Sequence, residues 1–274
     1  MTLVMGVLNV TPDSFYDGGR WEEPGAAVEH GCRMVDEGAS IVDVGGESTR
    51  PHAAPVDDEE ELRRVVPVVR GLSRQLAGRA RVCVDTRKRA VAQAALDAGA
   101  SVLNDVSAAL WDVAAQHGAG WLAMHMKGEP EDMMSLAAYD DVVVEVCNYL
   151  RERAEAAEAG GVREIWLDPG IGFAKTAAHN LEILRRLDEL VTLPWPVAIG
   201  LSRKRFTGVV TSGSEELPAP LGERFEASLA GAVWAMCKGA ALVRVHDVKA
   251  TVEAAKLVGA PRAGGVGAMS GDRR

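Results

Sequence analysis

No apolar run in this 274-residue chain approaches the roughly 20 residues that a membrane-spanning helix needs. The opening, "MTLVMGVLNVTPDSF", has neither a basic leader nor a long apolar stretch, so no signal peptide is expected. Paired Cys-x-x-Cys spacing is missing, and Cys32, Cys83, Cys147 and Cys237 each stand within an apolar segment. That usage excludes a disulfide framework and predicts buried, reduced thiols in a cytoplasmic protein. The six histidines lack the paired helical spacing of a zinc site. A Gly-x-Gly-x-x-Gly turn after the first apolar run, a Gly-Lys-Ser/Thr phosphate loop and a Gly-x-Ser-x-Gly elbow are all absent. Basic excess is missing too. A net charge of −9 argues against nucleic acid as a partner, yet a few placed cations can still set the field inside one cleft.

What is present is ordinary globular composition, 47% hydrophobic and 25% charged, in a chain long enough for one large α/β domain. Eight short apolar runs recur: "LVMGVL" (3–8), "IVDVGG" (41–46), "RVCVDT" (81–86), "SVLNDV" (101–106), "WLAMHM" (121–126), "IWLDPG" (165–170), "PVAIG" (196–200) and "ALVRVHD" (241–247). Seven of them carry valine or isoleucine and most are apolar on both faces, which predicts buried parallel strands. Helical patterns lie between them, over 24–38, 58–76, 87–98, a short "VAAQHG", 141–159, 178–190, 223–238 and 247–258. Acids Asp58 to Glu61 suit a helix start, and the repeated "EGA", "AGA" and "KGA" before strands read as helix ends closed by left-handed glycine. The stretch 211–223 reads as an exposed loop. Eight strand–helix units predict a single (β/α)8 barrel, a TIM barrel, over residues 1–260, with 261–274 a disordered tail. An open doubly wound sheet is the alternative, weakened by the missing glycine turn.

In such a barrel the chemistry gathers at the C-terminal ends of the strands. Polar groups stand at all eight of those ends. They are Asn9 with Asp13 and Ser14; Asp43, Glu47, Ser48, Thr49 and Arg50; Asp85, Thr86, Arg87 and Lys88; Asn104 and Asp105; His125 and Lys127; Asp168; Ser202, Arg203, Lys204 and Arg205; and Arg244, His246 and Asp247. Asp85 and Asp168 follow apolar strand residues directly, where a carboxylate is costly unless hydrogen-bonded. Two carboxylates, the Asn104 amide and the Lys204 ammonium describe a pocket for a flat polar heterocycle better than a hydrolase triad. Asp43 and Asp247 read equally well as ion-pair or cap residues. Arg50, Arg203, Arg244 and His246 form a second group suited to pyrophosphate, and Asn9 can add one oxygen ligand to Mg²⁺.

The stretches "MGVLNVTPDSFYDGG", "GASIVDVGGESTRP", "VDTRK", "LNDVS", "MHMKGEP", "WLDPGIGFAKTAAHN", "GLSRKRF" and "GAALVRVHDV" resemble dihydropteroate synthases, in order and from one end of the chain to the other. The resemblance implies a homodimeric (β/α)8 barrel of folate biosynthesis that joins 6-hydroxymethyl-7,8-dihydropterin pyrophosphate to p-aminobenzoate and releases pyrophosphate. It implies pterin binding by Asp85, Asn104, Asp168 and Lys204. Pyrophosphate and Mg²⁺ fall to Asn9, Arg50, Arg244 and His246, and p-aminobenzoate to Thr49, Arg50, Pro51, Phe173, Ser202 and Lys204. The groups expected to act in turnover are Asn9, Thr49, Arg50, Lys204, Arg244 and His246. Sulfonamides are then expected competitors. Departures from the resemblance are Tyr16, His52 in place of the usual glycine, Ala108-Ala109, and Ala227-Ser228. They keep open an alternative, a pterin-binding paralogue with little or no condensing activity. A pterin-dependent methyltransferase is disfavoured because the "TPDSF" and "ESTRP" stretches are both present.

Overall fold

A computed structural model describes residues 2–11, 24–48, 56–129 and 132–259. Asp13, Ser14, Tyr16, Thr49, Arg50, Pro51, His52 and the 261–274 tail lie outside the described residues.

Strands and helices alternate as β1 (Leu3–Asn9), α1 (Pro24–Asp36), β2 (Ile41–Gly45), α2 (Asp58–Gln75), β3 (Arg81–Asp85), α3 (Arg89–Asp97), β4 (Val102–Asp105), α4 (Trp111–His117) and β5 (Gly120–Met124). Then follow α5 (Val142–Ala159), β6 (Ile165–Asp168), α6 (Ala177–Arg185), α7 (Leu187–Val191), β7 (Ala198–Gly200), α8 (Arg205–Ser212), α9 (Phe225–Cys237), β8 (Leu242–Val245) and α10 (Val248–Val258). All ladders are parallel, in the order β6-β5-β4-β3-β2-β1-β8-β7. A single bridge, Leu167 to Val197, joins the two ends and closes the barrel.

All eight expected strands form. Gly38, Gly99 and Gly239 close their helices with φ of 107°, 111° and 99°. The Asp57 carboxylate caps α2 by accepting from Glu60 N at 2.8 Å, ahead of the acidic first turn. Two helical expectations are corrected. The 178–190 segment breaks at Arg186, whose guanidinium is drawn to Asp141 and Glu189. The seventh unit carries α8, so the loop expected from 211 begins only after Ser212.

Strand alternation builds the interior in layers. One layer is an apolar ring with one residue from every strand: Met5, Ile41, Cys83, Val102, Leu122, Trp166, Ala198 and Leu242, none more than 4% exposed. Two residues further along each strand the same face carries Val7, Asp43, Asp85, Asn104, Met124, Asp168, Gly200 and Arg244. The barrel is thus sealed below and polar above. Cys83 and Cys147 are buried as expected, but Cys32 is half-buried and Cys237 exposed.

Candidate active site

Four residues of the polar layer, Asp43, Asp85, Asn104 and Arg244, form one connected set. Arg244 on β8 donates from Nε to Asp43 Oδ2 and from Nη2 to Asp85 Oδ2, each at 2.5 Å. Asn104 Nδ2 donates to the same Asp43 oxygen at 3.1 Å. Asp168 Oδ1 accepts from Gly170 N at 2.7 Å. A Cβ built on Gly200 would lie 3.6 Å from both Asp168 Oδ2 and the Arg244 Cβ, and one on Gly45 would lie 3.6 Å from Asn9 Oδ1 and from the Asp85 Cβ. Asn9, Asp85, Asp168 and Arg244 therefore line one cleft. Asp85 Oδ1, Asn104 Oδ1 and Asp168 Oδ2 make no hydrogen bond with the described residues. They form a wall of acceptors.

Lys204 supplies the donor. It stands at the start of α8 and reaches back to Ile171 O at 2.5 Å, with its Nζ 4.5 Å from the centre of the Phe173 ring. Burial pulls its ammonium down to about 8, against the pull of Asp168. Burial pushes the Asp85 carboxyl up to about 7; Arg244 opposes that rise and the nearby Asp43 carboxylate adds to it. Asp168 is raised as well, again by burial, with Lys204 opposing.

The β6–α6 turn carrying Phe173 is held at nearly every peptide. Gly170, Gly172 and Ala174 have φ of 68°, 84° and 49°. A side chain at Gly170 would put its Cβ 1.9 Å from His125 O, so only glycine lets the turn pass the end of β5. Gly172 N donates to Asn180 Oδ1 at 2.8 Å, and Tyr139 Oη donates to Ala174 O at 3.0 Å. Lys175 is 2% exposed. Its ammonium donates to His125 Nδ1 at 2.9 Å, Phe173 O at 3.0 Å and His125 O at 3.4 Å, which uses all three of its protons. Burial draws Lys175 down to about 7, and burial together with Lys175 draws His125 down to about 3.

Ser202 and His246 also meet: Ser202 Oγ accepts from His246 N at 3.2 Å and lies 3.0 Å from its Nδ1. Other strand-end residues serve the scaffold. Asp105 is fully buried and accepts from Ser107, Ala109, Leu110 and the Trp121 indole. Arg203, grouped with the anion ligands by sequence, instead forks onto Asp247 at 2.6 and 3.2 Å, and Arg205 pairs with Glu215. Of the "SRKR" cations, only Lys204 turns toward the cleft contacts described above. Glu47 and Glu61 hold Lys88 at 3.3 and 2.5 Å. Sequence reasoning left Asp43 undecided and passed over Lys175. A buried lysine runs against burial habit, so composition gives it no signal.

Among the described residues, three or more His, Cys, Asp or Glu side chains nowhere gather into a metal-holding group.

The family model for pterin binding enzymes matches residues 5–246. Dihydropteroate synthase of Mycobacterium leprae is 46% identical over 265 residues, 94% of this chain and 92% of that protein. The Escherichia coli K12 dihydropteroate synthase is 43% identical over 261 residues, 93% and 90% respectively. Among solved structures, the Yersinia pestis dihydropteroate synthase in a sulfonamide drug complex superposes with a TM-score of 0.86 at 41% identity, covering 94% of this chain and 93% of that one. The Xanthomonas albilineans enzyme with 4-aminobenzoic acid gives 0.84 at 44% identity, covering 93% and 91%. Matches of this length and identity, on a barrel with this acceptor wall, show that the chain belongs to the pterin-binding enzymes of the dihydropteroate synthase family.

Proposed function

We propose that this protein condenses 6-hydroxymethyl-7,8-dihydropterin pyrophosphate with p-aminobenzoate, giving 7,8-dihydropteroate and pyrophosphate. The observation that carries the reading is the acceptor wall with one facing ammonium. Asp85, Asn104 and Asp168 offer three open oxygens to the N–H edge of a pterin, and Lys204 offers protons to its ring oxygen or nitrogen. The amine nitrogen attacks the pterin methylene carbon, the C–O bond to pyrophosphate breaks, and the amine loses a proton.

Arg244 retains Nη1 for the leaving group, while its other donors brace Asp43 and Asp85. His246, oriented through Ser202, joins it on the pyrophosphate side. Mg²⁺ bound by Asn9, phosphate oxygens and water would neutralise the charge that grows on the departing pyrophosphate. Phe173 and Lys204, with Ser202 beside them, form the described part of the p-aminobenzoate site; Thr49, Arg50 and Pro51 would complete it. The same site makes sulfonamides expected competitors.

A homodimer is supported by apolar side chains left on three neighbouring helices, Leu181 of α6, Val210 of α8 and the half-exposed Trp234 of α9. A cytoplasmic setting is supported by four free thiols. Among the described residues, no helix is long and apolar enough to cross a membrane. The deciding experiment measures pyrophosphate release by purified protein with both substrates and Mg²⁺. Release that requires p-aminobenzoate is expected. Pterin binding without release would instead establish the non-condensing paralogue.

A further inference from the structure

Asp43 lies beneath the acceptor wall, fully buried on β2. Its Oδ2 accepts from Arg244 Nε at 2.5 Å and from Asn104 Nδ2 at 3.1 Å. A guanidinium only donates, so the oxygen it grips can only accept. The Asn104 atom facing that oxygen must therefore be the NH2 group. Turned the other way, the amide would set two oxygens 3.1 Å apart with no proton between them. The Asn104 carbonyl is thereby committed to the cleft, where it has no partner among the described residues. The same carboxylate fixes Arg244, whose Nη2 takes Asp85 Oδ2 and leaves Asp85 Oδ1 as the open oxygen. One residue thus sets the direction of two of the three acceptors, one of them directly and the other through Arg244.

We propose that Asp43 is the positioning residue that determines ring specificity: by holding Asn104 and Arg244 it commits the pocket to a heterocycle edge bearing N–H and NH2 groups and against one bearing oxygen. This rests on the pterin reading above. Asp43 itself is sealed from the ligand, with Cys83 of the apolar ring next to it on the neighbouring strand in register.

The test compares two probes by calorimetry, 6-hydroxymethylpterin with its 2-amino group and 6-hydroxymethyllumazine with oxygen there. The parent protein should prefer the amino ring by at least about a hundredfold, since a site built to bond N–H groups rejects an analogue lacking them strongly. Asp43→Leu frees the amide to turn, and the preference should fall at least about tenfold. Asp43→Asn can keep an oxygen at the shared position and should stay within about threefold of the parent. An Asp43→Leu protein with the parent's preference overturns the proposal, as does an Asp43→Asn protein that loses as much as Asp43→Leu. A parent that binds neither ring overturns the pterin reading instead.

If Asp43→Leu does not fold, the parent alone decides. The chain has four asparagines, so selective nitrogen labelling gives few side-chain amide pairs, and Asn104→Ser identifies the relevant one. Slow exchange of one Asn104 amide proton with water supports the tether. Exchange as fast as that of an exposed amide refutes it.

Discussion

Asp168 gives one oxygen to its own loop and leaves the other open among the described residues, so on the proposed function it is the residue whose loss is easiest to read. Asp168→Asn replaces an acceptor by a group that can present a donor to ring N–H, and pterin affinity should fall by about 2–4 kcal/mol. Calorimetry on a folded variant checks this. The pH dependence follows from two neighbours with opposite needs. Asp85 offers both oxygens purely as acceptors only after losing its proton, which burial postpones to about 7. Lys204 donates fully only while charged, which burial ends at about 8. Pterin affinity should therefore climb as pH rises toward 7 and decline beyond 8. Lys204→Arg stays charged and should abolish the alkaline decline while keeping the acidic rise; titration at several pH values shows which limb moves. Arg244 illustrates where sequence reading stops. Its place at the end of an apolar strand marked it for an anion, but the three-way contact with Asp43 and Asp85 joins strands far apart in the chain. Arg244→Ala should accordingly weaken pterin as well as pyrophosphate. Asp85, Asn104, Asp168 and Lys204 were legible because each ends an apolar run or follows one closely. Asp43 was not, because the partners that define its role come from β4 and β8.

Among the elements, the β6–α6 turn departs furthest from regular structure, with three left-handed residues in alternation, pinned by Lys175 against His125, by Asn180 of α6 and by Tyr139. Lys175 is its central brace. Removing it in Lys175→Met strips the Phe173 and His125 carbonyls of their donor, and the Phe173 wall should loosen. The Michaelis constant for p-aminobenzoate should rise about tenfold, with a smaller change for the pterin substrate. Stability offers a second readout. Unfolded lysine titrates near 10.5, while folded Lys175 titrates at about 7. Between those values the unfolded chain holds a proton that the folded chain has released, so stability rises with pH across that window. In Lys175→Met that share of the rise should vanish from urea unfolding midpoints at pH 7 and 9. The strands were readable from β-branched runs and the helix ends from glycine. The split between α6 and α7 was not; it falls at Arg186, whose partner Asp141 lies far away in the sequence.

At the scale of the whole molecule, the apolar ring carries the barrel. Trp166 is its largest member, and Trp166→Ala should cost about 3–5 kcal/mol through the cavity left inside, measurable by denaturant unfolding. If two copies pair through α6, α8 and α9, Trp234→Glu should give monomers in sedimentation experiments while leaving the fold intact. The closure itself has a further meaning. β1 and β2 are stitched by five paired residues, whereas β6 meets β7 at one bridge. A hoop fastened so unevenly yields first at its clasp, and here the clasp joins the strand that ends in Asp168 to the one that leads to Ser202 and Lys204. The side of the site carrying Asp85 and Asn104, held by β2, β3 and β4, is then the stiff jaw, and the side carrying Asp168 and Lys204 is the compliant one. Hydrogen exchange would register this as a Leu167 amide that opens well before that of Val42, and binding of both substrates would act as the pin that locks the clasp.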